Sequence, residues 1–212
     1  MTRCATAAVL PEDVRVAASV CRRVLEPVAD ADWDRRAGEL EWSCRTTLAH
    51  VLSALLYYAI NLTTRSTELR YSGQTDPSLP IPELLDALEG RAAVLAEVCA
   101  APPPGARGAH DWGLPDAPGF AALACDEMLL HTNDIADGLG ADFDPPRDVC
   151  ARVLTRLFPW APLDGDGWEV LRWANGRVPL GRRPRLAPSW VSHPSPLDEW
   201  DGRDPNASFT VQ

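Results

Sequence analysis

Two histidines and one glutamate stand at spacings that could assemble a metal site. Glu127 and His131 are four residues apart, and His50 lies in the apolar run 47–56. Side chains four residues apart project from one face of a helix, so a ligand from a neighbouring helix can meet them. Three protein ligands leave one coordination position of a divalent cation open. The pattern therefore indicates a metal centre that can do chemistry.

Two alternatives stay open for these three residues. A glutamate and a histidine four apart are also typical of a helix surface, and a lone histidine is typical of a packed residue. Buried imidazole and carboxylate groups cost free energy unless they are satisfied, and a divalent cation satisfies all three at once. Two histidines with one carboxylate suit Zn²⁺ (zinc) in a catalytic site, and Ni²⁺ or Fe²⁺ can use the same ligands.

The same two helical stripes carry further polar side chains. Tyr57 and Asn61 continue the stripe of His50, and Asp134 follows His131 by three residues. Asp134 is a candidate catalytic residue that orients an imidazole or a cofactor, and its alternative is a helix-end carboxylate that faces solvent. Tyr57 is a second catalytic candidate and Asn61 a cofactor-binding candidate, although a tyrosine on such a stripe is at least as often a packing residue.

Arginines and histidines outside these stripes complete the candidates. Guanidinium groups bind anions through paired hydrogen bonds, which makes Arg177 a candidate for cofactor or substrate binding, followed by Arg182, Arg183 and Arg185. A solvated basic tail is the alternative. His110 and His193 lie in segments rich in proline and glycine, where they are either general acids and bases or ordinary loop histidines.

Composition excludes several classes of function. The 212 residues suit one domain, or one domain with an extension, and 46% of them are apolar. A formal charge of −10 argues against nucleic-acid binding. The absence of lysine excludes Schiff-base chemistry. Six cysteines without a C-x-x-C spacing indicate reduced, buried thiols. The sequence shows neither a long apolar leader nor a membrane span, which predicts a cytoplasmic protein.

Apolar periodicity predicts an all-α fold. Helices are expected at about 11–28, from Ser43 to about Leu69, from Pro82 to the prolines at 102–104, at about 118–139, at 146–158 and at about 168–174. Residues 1–144 should form a metal-binding four-helix bundle, in which side chains that face inward build metal sites. Residues 145–212 form an irregular extension, rich in tryptophan and proline and packed on the bundle. The segment 102–119 is a long loop of the kind that covers binding sites.

Three segments resemble a known family. The run from Trp42 to His50 is similar to the "W-x-x-x-x-x-L-x-H" start of the second helix in the DinB/YfiT-like superfamily. The run 125–134 is similar to the "E-x-x-x-H-x-x-D" segment of its mycothiol-dependent branch, the maleylpyruvate isomerase-like proteins, and 171–180 resembles the C-terminal region of members of this group. The tail departs from the pattern, because it is too short and too rich in proline for the α/β C-terminal domain of the isomerases.

The resemblance implies a DinB-like bundle whose metal ligands are His50, Glu127 and His131. It also implies Zn²⁺ as the metal and a low-molecular-weight thiol, mycothiol, as the co-substrate. A thiol that enters the open position would lose its proton and become a nucleophile at neutral pH, with no protein cysteine involved. The leading hypothesis is therefore a metal-dependent thiol S-transferase or isomerase that acts on a small electrophile.

Two other hypotheses remain open. The first is a metal-dependent hydrolase, in which water takes the open position and Asp134 or His110 assists. The second is a non-catalytic bundle that binds a ligand or a partner subunit and uses the metal for stability. The expected partners are a small-molecule electrophile and a thiol, without nucleic acid or membrane, and the protein is expected to be a monomer or homodimer.

Overall fold

A computed structural model describes residues 8–69 and 73–207, and within these residues the chain is all-helical, with no β-strand. The α-helices are α1 (Pro11–Leu25), α2 (Cys44–Thr64), α3 (Ile81–Ala100), α4 (Ala117–Leu139), α5 (Arg147–Leu157) and α6 (Gly167–Ala174). Short 3₁₀ turns lie at Glu26–Val28 and Leu197–Glu199. The prediction of an all-α fold is confirmed.

The four long helices form a bundle around one apolar core. Both α1 and α2 pack against α3 and α4, so the order around the bundle is α1, α3, α2, α4. Leu52 and Leu55 of α2 and Phe120 of α4 are fully buried in this core. Each such side chain contributes about 1.5–3 kcal/mol relative to an exposed one. The core therefore fixes α2 against α4, the two helices that carry the candidate ligands.

Helix α2 begins where the sequence predicts and ends earlier. Ser43 is the N-cap, and its hydroxyl accepts a hydrogen bond from the backbone N–H of Thr46 at 3.3 Å. The helix ends at Thr64, with Arg65 in the left-handed conformation, so the predicted extension to Leu69 is wrong. The hydroxyls of Thr63 and Thr64 bond back to carbonyl oxygens one turn earlier, at 2.7 and 2.8 Å, which weakens the helix before this end.

Helix α4 is fixed at both ends. The carboxylate of Asp116 caps its first turn by accepting from the backbone N–H of Gly119 at 2.9 Å, and Gly140 ends it in the left-handed conformation. Near this end, Gly138 lies so close to the segment before α2 that an added Cβ would collide with the carbonyl oxygen of Arg36. This close approach sets the distance between α4 and the start of α2.

The loop between α3 and α4 folds back over α2. Gly108 touches the backbone of Asn61, and a Cβ at position 108 would lie 2.7 Å from the Asn61 carbonyl carbon. The hydroxyl of Tyr57 donates to the carbonyl oxygen of Ala109 at 3.1 Å. These contacts hold the next residues of the loop, which begin with His110, against one side of the bundle.

The C-terminal region packs on the outside of α4 and α5. The buried guanidinium of Arg156 donates to the carboxylate of Asp116 at 2.7 Å and to the carbonyl oxygens of Pro194 and Ser195 at 2.9 and 2.7 Å. The indole of Trp190 lies 5.2 Å from that of Trp112, measured between ring centroids. One arginine therefore ties the tail to the N-cap of α4.

The cysteines that the structure describes are buried, as the sequence predicts. Cys21, Cys44, Cys99, Cys125 and Cys150 are free and buried, and Cys4 lies outside the described residues. Within the described part of the chain, no helix has both the length and the apolar character needed to cross a membrane.

Candidate metal centre

The structure brings His50, Glu127 and His131 together between α2 and α4. Nε2 of His50 and Nε2 of His131 each lie 3.3 Å from Oε2 of Glu127, and all three candidate ligand atoms lie within 4.8 Å of one another. Side-chain exposure falls from 38% for His50 through 24% for Glu127 to 12% for His131. The cluster therefore opens toward solvent on the side of His50 and is closed toward the core.

The geometry of the three atoms fits a shared cation. Oε2 of Glu127 is buried and, among the described residues, has no hydrogen-bond partner, although two imidazole nitrogens are 3.3 Å away. A four-coordinate Zn²⁺ with ligands at about 2.1 Å separates neighbouring ligand atoms by about 3.4 Å. Both 3.3 Å spacings are close to this value, and the third pair of candidate ligand atoms lies within 4.8 Å.

The carboxylates around the cluster stabilise positive charge at its histidines. Burial opposes ionisation of Glu127, but the neighbouring His131 and His50 hold the pKa of this carboxyl well below its ordinary value. Burial lowers the pKa of His131, and the carboxylates of Asp134 and Glu127 outweigh that effect and raise it to about 9. Positive charge between these carboxylates is stabilised, whether a proton or a metal ion supplies it.

Asp134 and Arg177 support the deeper histidine. Nδ1 of His131 lies 3.1 Å from Oδ2 of Asp134, and the guanidinium of Arg177 donates to the same oxygen at 2.8 Å. When Nδ1–H of His131 donates a hydrogen bond to Asp134, its Nε2 is left to face Glu127. Burial opposes the charge of Asp134, but His131 and Arg177 keep its pKa below the ordinary value.

Tyr58 supports the carboxylate in the same way. Its hydroxyl donates to Oε1 of Glu127 at 3.3 Å. Burial, reinforced by the charge of Glu127, raises the pKa of Tyr58 well above its ordinary value. The phenol therefore stays protonated and occupies Oε1, which leaves Oε2 to face the two histidines.

A cavity of about 530 Å³ leads to the cluster, and His50 and Glu127 are part of its wall. Across from them, the loop contributes His110, Asp111 and Trp112. Nδ1 of His110 accepts a hydrogen bond from the backbone N–H of Trp112 at 3.3 Å, and burial lowers the pKa of His110. A neutral His110 therefore carries its proton on Nε2, where it is a hydrogen-bond donor.

Comparison with known proteins identifies the family. The model of the mycothiol maleylpyruvate isomerase N-terminal domain matches residues 14–136, which is more than half of the 212 residues. The chain belongs to this family. All three candidate ligands, together with Asp134, lie inside the matched segment, whereas Arg177 lies beyond it. No curated protein and no solved structure matches the chain.

The other candidate residues of this family member have varied surroundings. Tyr57 lines the cavity, but its hydroxyl is directed to the loop backbone. Asn61 is fully buried, is not among the residues that line the cavity, and donates from Nδ2 to the carbonyl oxygen of Tyr57 at 2.9 Å. Arg177 contacts Asp134 and does not line the cavity.

The remaining basic candidates lie away from the cavity wall. Arg185 donates to the carbonyl oxygen of Gly176 and pairs with Glu39, and the guanidinium of Arg183 lies over the ring of Trp173. Arg182 is exposed. His193 is part-buried, with Nε2 3.1 Å from the carbonyl oxygen of Pro196. Sequence analysis missed Tyr58, which follows Tyr57 directly, and it gave His110 a lower rank than its position in the cavity wall warrants.

Proposed function

We propose that this protein is a metal-dependent thiol S-transferase or isomerase that joins a low-molecular-weight thiol, of the mycothiol type, to a small electrophile. His50, Glu127 and His131 would hold the metal, with Zn²⁺ preferred for this donor set and Ni²⁺ or Fe²⁺ compatible with it. The observation that carries the proposal is the buried Oε2 of Glu127, which has no hydrogen-bond partner among the described residues and lies 3.3 Å from two imidazole nitrogens at the wall of a cavity.

A metal held by these residues would supply one kind of chemistry, since it would stabilise the thiolate form of the co-substrate over the thiol at neutral pH. The protein's own cysteines do not serve as nucleophiles in this scheme. Burial raises the pKa of Cys21 to about 12, and burial likewise raises that of Cys150 to about 12. Thiols of such high pKa carry almost no thiolate at neutral pH.

Asp134 acts as a positioning residue. By accepting a hydrogen bond from Nδ1–H of His131, it keeps Nε2 of that ring directed at Glu127. Arg177 holds Asp134 in place from the other side. Asn61 would support the cavity indirectly, because its backbone lies under the loop that forms the far wall.

His110 would bind the electrophile. Its Nε2–H can donate to the carbonyl oxygen of a substrate, which makes the conjugated carbon more reactive toward sulfur. In isomerisation the S–C bond forms, the former double bond rotates and the S–C bond breaks, which returns the thiol unchanged. In transfer the S–C bond is kept, and the carbon next to the carbonyl group takes up a proton from solvent, which restores the carbonyl. A ring that already carries its proton on Nε2 is a poor base for activating water, which favours thiol transfer over hydrolysis.

Metal content and thiol adducts test this function. The variants His50→Ala, Glu127→Ala and His131→Ala should each lose the metal, measured by elemental analysis, while His193→Ala, a histidine outside the site, should retain it. Incubation with mycothiol and a set of electrophiles should give adducts or isomerised products by mass spectrometry only with the metal-loaded protein. Full metal retention in any of the three ligand variants contradicts the assignment of that residue. Release of acid or amine without thiol contradicts the proposed reaction.

A further inference from the structure

We propose that the cavity accepts uncharged, flat electrophiles with an apolar ring and discriminates against carboxylates, including the dianion maleylpyruvate that gives the family its description. The inference rests on the proposed function for the identity of the site and adds the class of substrate. It follows from the composition of the cavity wall and from the partners of the arginines behind that wall.

Aromatic rings form a continuous part of the wall. The ring centroids of Tyr57 and Tyr58 are 5.5 Å apart, those of Tyr58 and His110 are 5.8 Å apart, and those of His110 and Trp112 are 5.4 Å apart. On the side of the metal ligands, the indole of Trp42 lies 4.9 Å from the ring of His50. All six of these rings line the cavity. Surfaces of this kind bind flat apolar rings by stacking and edge contacts.

An anion would meet no guanidinium in the part of the wall that the structure describes. None of the described residues that line the cavity is an arginine, and its two carboxylates are Asp111 and Glu127. A substrate carboxylate would lose hydration here without a guanidinium to replace it, which disfavours its binding.

Three of the described arginines around this site are engaged elsewhere. Arg91 donates to the carbonyl oxygen of Leu52 at 2.9 Å and to the hydroxyl of Thr75 at 2.6 Å. Arg45 donates to the carbonyl oxygen of Pro77 at 2.9 Å and pairs with a carboxylate of the preceding loop. Arg177 is committed to Asp134. Thr75 and Pro77 belong to the wall, so the guanidinium groups of Arg91 and Arg45 are already bonded to wall residues. A carboxylate could bind the metal directly, but it would then take the position that the thiol needs.

A pair of matched ligands tests the selectivity without relying on catalysis. Acetophenone and benzoate are flat and similar in size, and only benzoate is charged at pH 7.5. Quenching of tryptophan fluorescence reports binding, because Trp42 and Trp112 line the cavity. The protein of 212 residues as purified should bind acetophenone at least tenfold more tightly than benzoate. The ratio of the two affinities should increase after a chelator removes the metal, because benzoate can then no longer coordinate it. Equal or tighter binding of benzoate after chelation overturns the inference, as does failure of acetophenone to bind.

A charge introduced into the wall provides the second measurement. Gln74 lines the cavity in an exposed loop, so Gln74→Arg places a guanidinium there with little effect on packing. This variant should lower the ratio of acetophenone affinity to benzoate affinity at least fivefold. The control Val94→Arg, at an exposed position of α3 outside the cavity wall, should leave that ratio unchanged. Equal ratios in the two variants contradict the inference. Loss of thiol transfer with the binding ratio intact would instead refute the proposed function.

Discussion

The substitution Asp134→Asn tests whether the buried carboxylate supports the metal centre through His131. Asparagine keeps the shape of the side chain and one oxygen that can accept the Nδ1 proton, but it removes the negative charge that the structure places 3.1 Å from His131 and 2.8 Å from Arg177. Loss of such a partner lowers metal affinity by about 10- to 100-fold, or about 1.4–2.7 kcal/mol. Arg177 also loses its counter-charge, and its side chain is only 18% exposed, so the free energy of unfolding should fall by about 1–3 kcal/mol.

The assay is competition for Zn²⁺ against a chromophoric chelator, with urea unfolding measured on the same samples. Asp137→Asn is the matched control, because Asp137 is also on α4 and its carboxylate accepts from Asn133 at 2.9 Å rather than from a ligand imidazole. Zn²⁺ affinity in Asp137→Asn should stay within about threefold of wild type. The reasoning is refuted if Asp134→Asn binds Zn²⁺ as tightly as Asp137→Asn does.

Three further substitutions or modifications have defined outcomes. Tyr58→Phe removes the hydroxyl that donates to the ligand carboxylate and should weaken Zn²⁺ binding about fivefold, for a hydrogen bond worth about 1 kcal/mol, in the same chelator assay. Gly138→Ala should lower the free energy of unfolding in urea by about 1–3 kcal/mol, because the added Cβ collides with the carbonyl oxygen of Arg36. Its control, Gly90→Ala, has no atom within 4 Å of the added Cβ and should raise the free energy of unfolding by about 0.5–1 kcal/mol. In a Cys4→Ser chain, Cys21 should resist iodoacetamide at pH 8 until urea unfolds the protein, as mass spectrometry would report, because its pKa is about 12.

Local sequence pattern was enough to predict the helices, whereas spacing alone left the set of metal ligands open and the family resemblance named it. Glu127 and His131 share a helical face by their spacing alone, and the apolar run around His50 required that helix to be buried against its neighbours. The end of α2 was not predictable in this way. Thr63 and Thr64 are compatible with a helix, and Thr47 and Ser53 make the same hydroxyl contacts inside α2 without ending it. The chain leaves the helix where Arg65 adopts the left-handed conformation.

The residues that surround the ligands depended on tertiary structure. Tyr57 lies seven residues after His50, on the same helical stripe, and was therefore the tyrosine expected at the site. Tyr58, the next residue, is turned by about 100° from Tyr57 around the helix axis. Because α4 lies on the side of Tyr58, that hydroxyl reaches Glu127, and the one at position 57 reaches the loop. Which side α4 occupies is decided by packing of the whole bundle. No local pattern in α2 carries that information.

The C-terminal region contributes to the candidate centre, although the family match ends at residue 136. Arg177 pairs with Asp134, Arg156 pairs with Asp116 at the start of α4, and Arg152 pairs with the buried Asp13 of α1. Removal of the region would leave the carboxylate of Asp13 buried without its arginine partner and that of Asp134 with His131 alone, and buried ions that lose a partner are strongly destabilising. We therefore infer that residues 145–212 and the bundle 1–144 form one functional unit, in which the tail fixes the acid that orients the deeper histidine.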